Sequence, residues 1–153
     1  MSARSSFRAL ARGFTLVEMI VLVIVLAVLA VVVLPRFSAT RDFDTLAFHD
    51  RVLAAVRYAQ KVAVAQNAAV YVVTGGNALS LCFDVGCTVA LADPAAAQPL
   101  ALAAPVGTTL TSSAGSFSFD GLGRPSAGPV TFTVGGTPTR TFTVEQETGH
   151  VHP

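Results

Sequence analysis

Charge is scarce in this chain. Lys, Arg, Asp and Glu make up 12% of its 153 residues, while 52% are hydrophobic and the formal net charge is +1. A chain so apolar and so weakly charged is unlike an intrinsically disordered protein. Non-specific affinity for DNA comes from many Lys and Arg side chains that neutralise phosphates, so a protein that coats nucleic acid is not indicated. The length leaves room for one ordinary domain.

The sequence also lacks the short motifs that mark common catalytic sites. It contains no G-x-S-x-G, no H-E-x-x-H and no Walker sequence. Its histidines are His49, His150 and His152. The last two alternate in a strand-like stretch and could face one side, but they have no obvious third ligand, so exposed terminal histidines are favoured over a metal site. We therefore predict a protein that is not an enzyme and that holds no cofactor and no metal.

Only two cysteines are present, Cys82 and Cys87. A redox-active pair normally has the C-x-x-C spacing, and a zinc site would need further ligands close to these two. Gly86 supplies the backbone freedom that brings the two Cα atoms within reach of each other. We predict a disulfide between Cys82 and Cys87 that shapes a short loop in an exported domain, where disulfides persist.

One long apolar run lies near the N-terminus. Residues 14 to 34 are 21 positions with only two polar side chains, Thr15 and Glu18, and a helix of this length spans about 31 Å. The run exceeds the apolar core of a secretory signal peptide, and it ends at Pro35-Arg36 rather than at a small-residue cleavage site. We predict a membrane-spanning helix that Pro35 kinks or interrupts.

Glu18 is costly inside such a segment, because a carboxylate in hydrocarbon is unfavourable by a few kcal/mol even on lenient scales. If the chain were cut after Gly13, the new amino group of Phe14 would lie about one helical turn from the Glu18 side chain. That amine, in the same chain or in a neighbouring subunit, could compensate the carboxylate. The alternative is a polar residue tolerated near the membrane interface.

The start of the run carries a family resemblance. Gly13-Phe14-Thr15-Leu16-Val17-Glu18 follows a leader whose charges are Arg4, Arg8 and Arg12, typical of a segment kept in the cytoplasm. Together with the apolar helix that follows, this resembles the class III signal of type IV pilins and type II secretion pseudopilins. The resemblance implies that a prepilin peptidase cuts between Gly13 and Phe14 and methylates the new Phe14 amine. It further implies that Glu18 is used in filament assembly and that Pro35 is the family's helix-breaking proline.

The same resemblance implies a location and a set of partners. The helix first anchors the subunit in the bacterial inner membrane by a single pass, with the C-terminal domain in the periplasm, and later packs in the core of a pilus or pseudopilus. The implied partners are the prepilin peptidase, the other pilins of the filament, the inner-membrane assembly platform and membrane lipid.

Residues 37 to 66 are predicted to form an amphipathic helix. Asp50, Arg57 and Lys61 share one side, which we interpret as a solvated face rather than a partner-binding patch. Apolar residues recur at helical spacing on the other side: Phe48, Val52, Ala55, Val56, Ala59, Val62 and Ala63. This stripe is most economically covered by a β-sheet.

After Asn67 the sequence consists of short β-type runs separated by turn residues. Gly75-Gly76-Asn77 predicts the turn of a hairpin between strands at 69–74 and 78–84. Further strands are predicted at 88–91, 108–112, 116–119, 130–134 and 140–144, with a surface loop at 93–105. The predicted fold class is α+β, a pilin fold in which a long N-terminal helix, membrane-spanning and then amphipathic, packs on an antiparallel β-sheet domain. The predicted segments are a leader at 1–13, a membrane helix at 14–35, an amphipathic helix at 36–67 and a β-rich domain at 68–153.

Motifs further along the chain indicate which subfamily it resembles. The helix segment 56–63, the turn segment 117–125 and the terminal Thr148-Gly149 are similar to the H-type (GspH/FimT-like) minor pseudopilins and minor pilins. The helix and the close-set cysteines also resemble minor pilins of the mannose-sensitive haemagglutinin pilus, a related possibility. Either resemblance implies a structural minor pilin or pseudopilin of a type IV pilus or a type II secretion pseudopilus.

The alternative function is that of a DNA-capturing or adhesive tip pilin. In FimT-like minor pilins the C-terminal tail, typically Gly followed by alternating arginines, can contact DNA. This chain has Gly149-His150-Val151-His152 at that place, so the fixed positive charges are missing. DNA is therefore not an expected partner, particularly above pH 7.

Overall fold

A computed structural model describes residues 15–33 and 36–153, with side-chain burial for 15–30 and 43–153. The chain divides into two units, Met1–Ser38 and Ala39–Pro153. The predicted leader, the cleavage point between Gly13 and Phe14, and the predicted kink at Pro35 lie outside the described residues.

The first unit contains helix α1, Leu16–Val33. Thr15 caps its start, because the Thr15 Oγ1 accepts a hydrogen bond from the Glu18 backbone N–H at 3.3 Å and the Thr15 carbonyl accepts one from Met19 at 3.2 Å. Every side chain from 15 to 30 is exposed. Among the described residues, no helix reaches the length and apolarity that a membrane crossing requires. The predicted span, 14–34, begins and ends outside those residues.

Helix α2, Arg36–Gln66, supplies one side of the core of the second unit. Its buried residues include Phe48, Val52, Ala55, Val56, Ala59 and Ala63. These confirm the predicted apolar stripe, and Val62 at its margin is half-buried. The helix ends at Gln66, and the next residue, Asn67, has a positive φ of 47°. There the Ala68 N–H donates to the Ala63 carbonyl at 3.1 Å, which is the Schellman arrangement.

Eight strands follow in two antiparallel sheets, of order β3-β2-β1-β5 and β4-β6-β7-β8. In chain order they are β1 Val70–Gly75, β2 Ala78–Cys82, β3 Ala101–Ala103, β4 Thr109–Ser112, β5 Ser116–Phe119, β6 Val130–Gly135, β7 Arg140–Val144 and β8 Val151–His152. The predicted α+β class with antiparallel strands is confirmed. The sheet prediction was incomplete, because the strands form two sheets rather than one.

The predicted first hairpin is present. β1 pairs with β2 so that Gly75 lies opposite Ala78, and the two residues between them, Gly76 and Asn77, have φ of 58° and 67°. Positive φ at both central positions is the type I′ turn, whose twist matches that of the flanking strands.

Phenylalanines from both sheets meet in the core. Phe132 of β6 stacks on Phe142 of β7 with ring centroids 4.8 Å apart, and the Phe117 ring of β5 meets the Phe132 ring edge-on at 6.1 Å. Since β5 belongs to one sheet and β6 to the other, this contact joins the two sheets into one core.

Two sequence predictions were wrong in this region. The expected strand at 88–91 is absent, and only isolated bridges form at Ala90 and Ala92. The backbone N–H groups of Thr88 and Val89 donate instead to the Asp84 carboxylate, so they are not available to a strand ladder. The expected loop at 93–105 contains β3, whose Leu102 lies opposite Leu79 of β2 and packs against the core.

Candidate functional site

Glu18, the candidate assembly residue, lies in the first turn of α1 with its side chain exposed. The N-terminus of a helix carries a partial positive charge that favours a carboxylate. Phe14, its candidate partner, lies outside the described residues, so the predicted pairing with the Phe14 amine stays a prediction.

Three segments that are distant in sequence meet beside Gln60 of α2. The Gln60 side-chain amide donates to the carbonyl of Gly123 at 3.0 Å and to the carbonyl of Thr148 at 2.9 Å. Gly123 lies in the turn after β5, and Thr148 lies just before β8. We call this meeting point the Gln60 junction. It brings together the helix motif, the turn motif and the terminal Thr148-Gly149 that the sequence resemblance depended on.

The turn that enters the junction, Asp120–Arg124, is tightly held and is called the Leu122 turn. The Asp120 Oδ1 accepts hydrogen bonds from the backbone N–H groups of Leu122 at 2.9 Å and Arg124 at 2.8 Å. The bond from the Arg124 N–H, helped by that from Leu122 and by the Arg124 charge, lowers the pKa of Asp120 from its ordinary value. Leu122 itself projects from the turn and is 72% exposed.

The junction leaves no room for side chains at its glycines. Gly123 and Gly149 have positive φ of 80° and 64°. A Cβ on Gly149 would collide with the Gly123 carbonyl and the Gln60 amide. Close packing of three backbone segments therefore depends on glycine here.

Arg57 shows that the charged face of α2 is more than a solvated surface. Arg57, Asp50 and Lys61 are exposed, as predicted. The Arg57 guanidinium nevertheless donates to the Val151 carbonyl at 2.7 Å, so the side chain ties β8 to α2. Together with Gln60, it fixes the C-terminal segment on the helix.

Cys82 and Cys87 are joined by a disulfide with Cα atoms 5.1 Å apart. Asp84 lies in the loop between the two cysteines and connects it to the residues that follow. Its carboxylate accepts hydrogen bonds from the Val89 N–H at 2.7 Å and from the Thr88 N–H at 3.0 Å. The backbone bonds from Thr88 and then Val89 lower the pKa of Asp84. The arrangement displays a rigid loop rather than a reactive thiol.

The two terminal histidines lie side by side. The rings of His150 and His152 stack with centroids 5.8 Å apart, and the His152 Nε2 lies 2.8 Å from the Glu145 Oε1. Over residues 15–33 and 36–153, no three side chains of the metal-binding types converge on a common point.

Sequence reasoning did not single out three residues that the structure places at these sites: Gln60, Asp84 and Asp120. Each is a polar side chain that satisfies backbone groups of a turn. Asp84 and Asp120 have a recognisable local signal, an Asp followed within two residues by Gly, which favours turns. The contacts of Gln60 are 63 and 88 positions away along the chain, so no local pattern indicates them.

Comparison with known proteins gives a family match and two similar folds. Residues 50–148 match the family model of the type II transport protein GspH. The type IV minor pilin FimU of Pseudomonas aeruginosa is 16% identical and superposes with a TM-score of 0.57 over 70% of this chain and 85% of that chain. The minor pseudopilin EpsH from the type 2 secretion system of Vibrio cholerae is 13% identical, with a TM-score of 0.55 over 70% of this chain and 92% of that chain. No curated protein is significantly similar in sequence. At these identities the structural likeness shows the fold alone.

Proposed function

We propose that this chain, which belongs to the GspH family of type II transport proteins, is a structural minor pilin or pseudopilin that enters its filament through the N-terminal helix. The family match covers residues 50–148, and FimU and EpsH share the fold. The family match does not include the first residues, where the steps of processing and assembly would occur.

The observation that carries the proposal is the exposure of α1. All of its side chains up to residue 30 are exposed, including Leu16, Ile20 and Ile24. A helix whose apolar side chains are exposed is stabilised when lipid or neighbouring helices surround it. A pilin helix meets both environments in turn, first the inner membrane and then the filament core.

Glu18 sets the axial position of this helix relative to the helices of neighbouring subunits. After cleavage between Gly13 and Phe14, the Phe14 amine is methylated and remains positively charged. It would pair with a Glu18 carboxylate, in the same subunit or a neighbouring one, and would offset the cost of that carboxylate in an apolar surrounding. A prepilin peptidase makes the cut, and the inner-membrane assembly platform inserts the subunit.

Mass spectrometry of the mature N-terminus tests the processing step. The expected result is a chain that begins at a methylated Phe14, and an intact Met1 would refute cleavage. Replacement of Gly13 by a bulky residue should leave the precursor uncut in the membrane fraction.

Glu18→Ala tests the assembly step separately. The precursor should still insert and be cleaved, but recovery of the subunit in sheared filaments should fall strongly. Glu147→Ala removes an exposed carboxylate of the second unit and serves as the matched control, which should assemble normally. Equal assembly of both variants would count against the proposed role of Glu18.

A further inference from the structure

β3 differs from the other three edge strands of the two sheets, which are β5, β4 and β8. The outer edge of β5 is covered, because the Ser126 N–H donates to the Ser118 carbonyl at 2.8 Å. The outer edge of β4 is covered by Asn77, whose side-chain oxygen accepts the Leu110 N–H at 2.6 Å. Arg57 donates to β8. In these three strands, the same chain occupies the outer edge.

The outward backbone groups of β3 belong to Ala101 and Ala103. In the ladder between β2 and β3, the Leu81 N–H donates to the Leu100 carbonyl at 3.2 Å, and the Ala104 N–H donates to the carbonyl of the residue before β2 at 3.0 Å. Residues 100, 102 and 104 therefore face β2. Since alternate residues of an antiparallel strand point their polar groups to opposite sides, those of Ala101 and Ala103 point away from the sheet.

Most of these outward groups are unpaired. The Ala101 N–H turns back to the Pro99 carbonyl at 3.0 Å. Among residues 43–153, no hydrogen bond reaches the Ala101 carbonyl or the N–H and carbonyl of Ala103. Both side chains are exposed as well. Unpaired groups on an edge strand are a template for a strand of another chain.

An apolar groove lies beside this edge. It has a volume of about 280 Å³, and its lining combines Ala54 and Tyr58 of α2 with Leu102 of β3 and the preceding Leu100. We call it the Tyr58 groove. Leu102 packs against the core, so the groove extends the apolar layer between α2 and the sheet past the last strand.

A strand added beside β3 fits both features at once. Three residues of strand span about 10 Å, and every second side chain of the added strand would lie on the same face as Leu102, which is the face of the groove. A docked helix could fill the groove, but its interior backbone groups bond within the helix, so it would leave the edge of β3 unpaired. The occupant that satisfies both features is an extended segment with apolar residues at alternate positions.

A second copy of this chain offers no strand of this kind within residues 43–153. The outer edges of its β5, β4 and β8 are already occupied. Its β3 has one large apolar side chain, Leu102, which packs against its own core and is not available to the groove of another copy. The segment therefore comes from a different protein.

We propose that the edge of β3 and the Tyr58 groove receive an extended segment of a different subunit of the filament. The segment adds as a fifth strand to the sheet β3-β2-β1-β5 and inserts alternate apolar side chains into the groove. The inference rests on the proposed function, in which the chain is a minor subunit whose neighbours in the filament are subunits of other kinds.

Photo-cross-linking in cells that assemble filaments tests the contact. The photoreactive amino acid p-benzoylphenylalanine replaces Ala101 in the full-length chain, and mass spectrometry identifies the cross-linked peptides. The expected product joins this chain to a different pilin or pseudopilin, at a segment of alternating apolar residues. In the matched control the same amino acid replaces Thr111, an exposed residue of β4, whose edge is covered. Products that contain only copies of this chain, or a yield no greater than in the control, would overturn the inference.

Two substitutions at Ala103 separate backbone pairing from surface contact. Ala103→Pro removes the outward N–H, which the ladder with β2 does not use, and edge strands tolerate Pro at such a position. This variant should reduce the yield of the cross-link from position 101 about tenfold, because a strand that adds here loses a donor. Ala103→Val keeps the N–H and should leave the yield unchanged. Equal yields from the two variants would mean that no strand adds at this edge.

A substitution in the groove gives an independent measurement that leaves β3 unaltered. Ala54 is exposed, so Ala54→Arg places a long charged side chain in the groove without entering the core. The cross-link should again fall about tenfold, and Gln66→Arg, at an exposed position of the same helix outside the groove, should leave it unchanged. If all variants reach sheared filaments and the cross-link stays the same in each, the inference fails and the proposed function stands. A parent chain that never reaches filaments would refute the proposed function itself.

Discussion

α1 and α2 differ in where their apolar side chains lie. On α2 the apolar residues form a stripe, of which Val52, Val56 and Ala59 are fully buried. Asp50, Arg57 and Lys61 lie on the opposite, exposed side. On α1 the apolar residues surround the helix, and every side chain from 15 to 30 is exposed. The apolar stripe of α2 is therefore buried in the second unit, while the apolar side chains of α1 from 16 to 30 are exposed.

The difference follows from spacing rather than from hydrophobicity alone. A stripe at 3.6-residue spacing can be covered from one side of the helix. On α2, residues of both sheets pack against it. A helix that is apolar all round cannot be satisfied by one surface and needs an environment that encloses it. The two units therefore predict two kinds of mutational effect, one on the stability of the second unit and one on insertion or assembly.

The largest expected effect is at the aromatic core of the second unit. Phe132 is fully buried and stacks on Phe142 at 4.8 Å. Phe132→Ala should lower the free energy of unfolding by about 3–5 kcal/mol, because it removes buried area and leaves a cavity. Chemical denaturation of the full chain in detergent measures this loss.

Ile20→Ala in α1 is the matched variant for the other unit. Ile20 is 51% exposed, so this truncation should change the unfolding of the second unit by less than about 0.5 kcal/mol. A similar loss from both variants would break the comparison, since α1 would then contribute to the folded core.

Most of the fold was predictable where a local pattern decides the structure. The stripe on α2, the Gly76-Asn77 turn and the strands at 116–119 and 140–144 follow from spacing and turn chemistry. β3 was missed because its three residues, Ala101–Ala103, carry no strand pattern and gain their pairing only from β2. The expected strand at 88–91 failed because one side chain, Asp84, took its backbone donors.

The candidate site was predictable only where local motifs indicate it. The glycines and the helix motif are visible in the sequence, and the family resemblance connects them. Their meeting at Gln60 depends on contacts that span 63 and 88 positions. Such contacts are fixed by the packed core, and the sequence contains no spacing that indicates them.

Removal of the disulfide measures how much this covalent bond contributes to the stability of the second unit. Replacing both Cys82 and Cys87 by Ala should lower its stability by about 2 kcal/mol, the small value expected for a short loop. Thermal unfolding of the full chain measures the change. An effect as large as that of Phe132→Ala would mean that the loop, rather than the aromatic core, limits the stability of this unit.

The Gln60 junction should contribute less. Gln60→Ala removes two hydrogen bonds to the carbonyls of Gly123 and Thr148, but water can reach part of this site, so we expect a loss of about 1 kcal/mol. Gln66→Ala, an exposed position on the same helix, is the control. Hydrogen exchange should increase at Thr148–His152 in the first variant only. Unchanged exchange there would contradict the role of Gln60 in holding the C-terminal segment.

The smallest effect concerns pH and the last strand. The hydrogen bond to Glu145, followed by that to the Pro153 carbonyl, raises the pKa of His152 above its ordinary value of 6.5. The pKa of His152 is higher in the folded state than in the unfolded state. Its stabilisation of β8 is therefore fully present below the unfolded-state pKa and is lost as pH rises through the folded-state pKa. An NMR titration of the His152 ring should show a lower pKa in Glu145→Gln, whereas Glu147→Gln should leave it unchanged. Equal midpoints in the two variants would show that the pair with Glu145 does not hold β8, and the attachment of the C-terminal segment would then depend on Arg57 and Gln60.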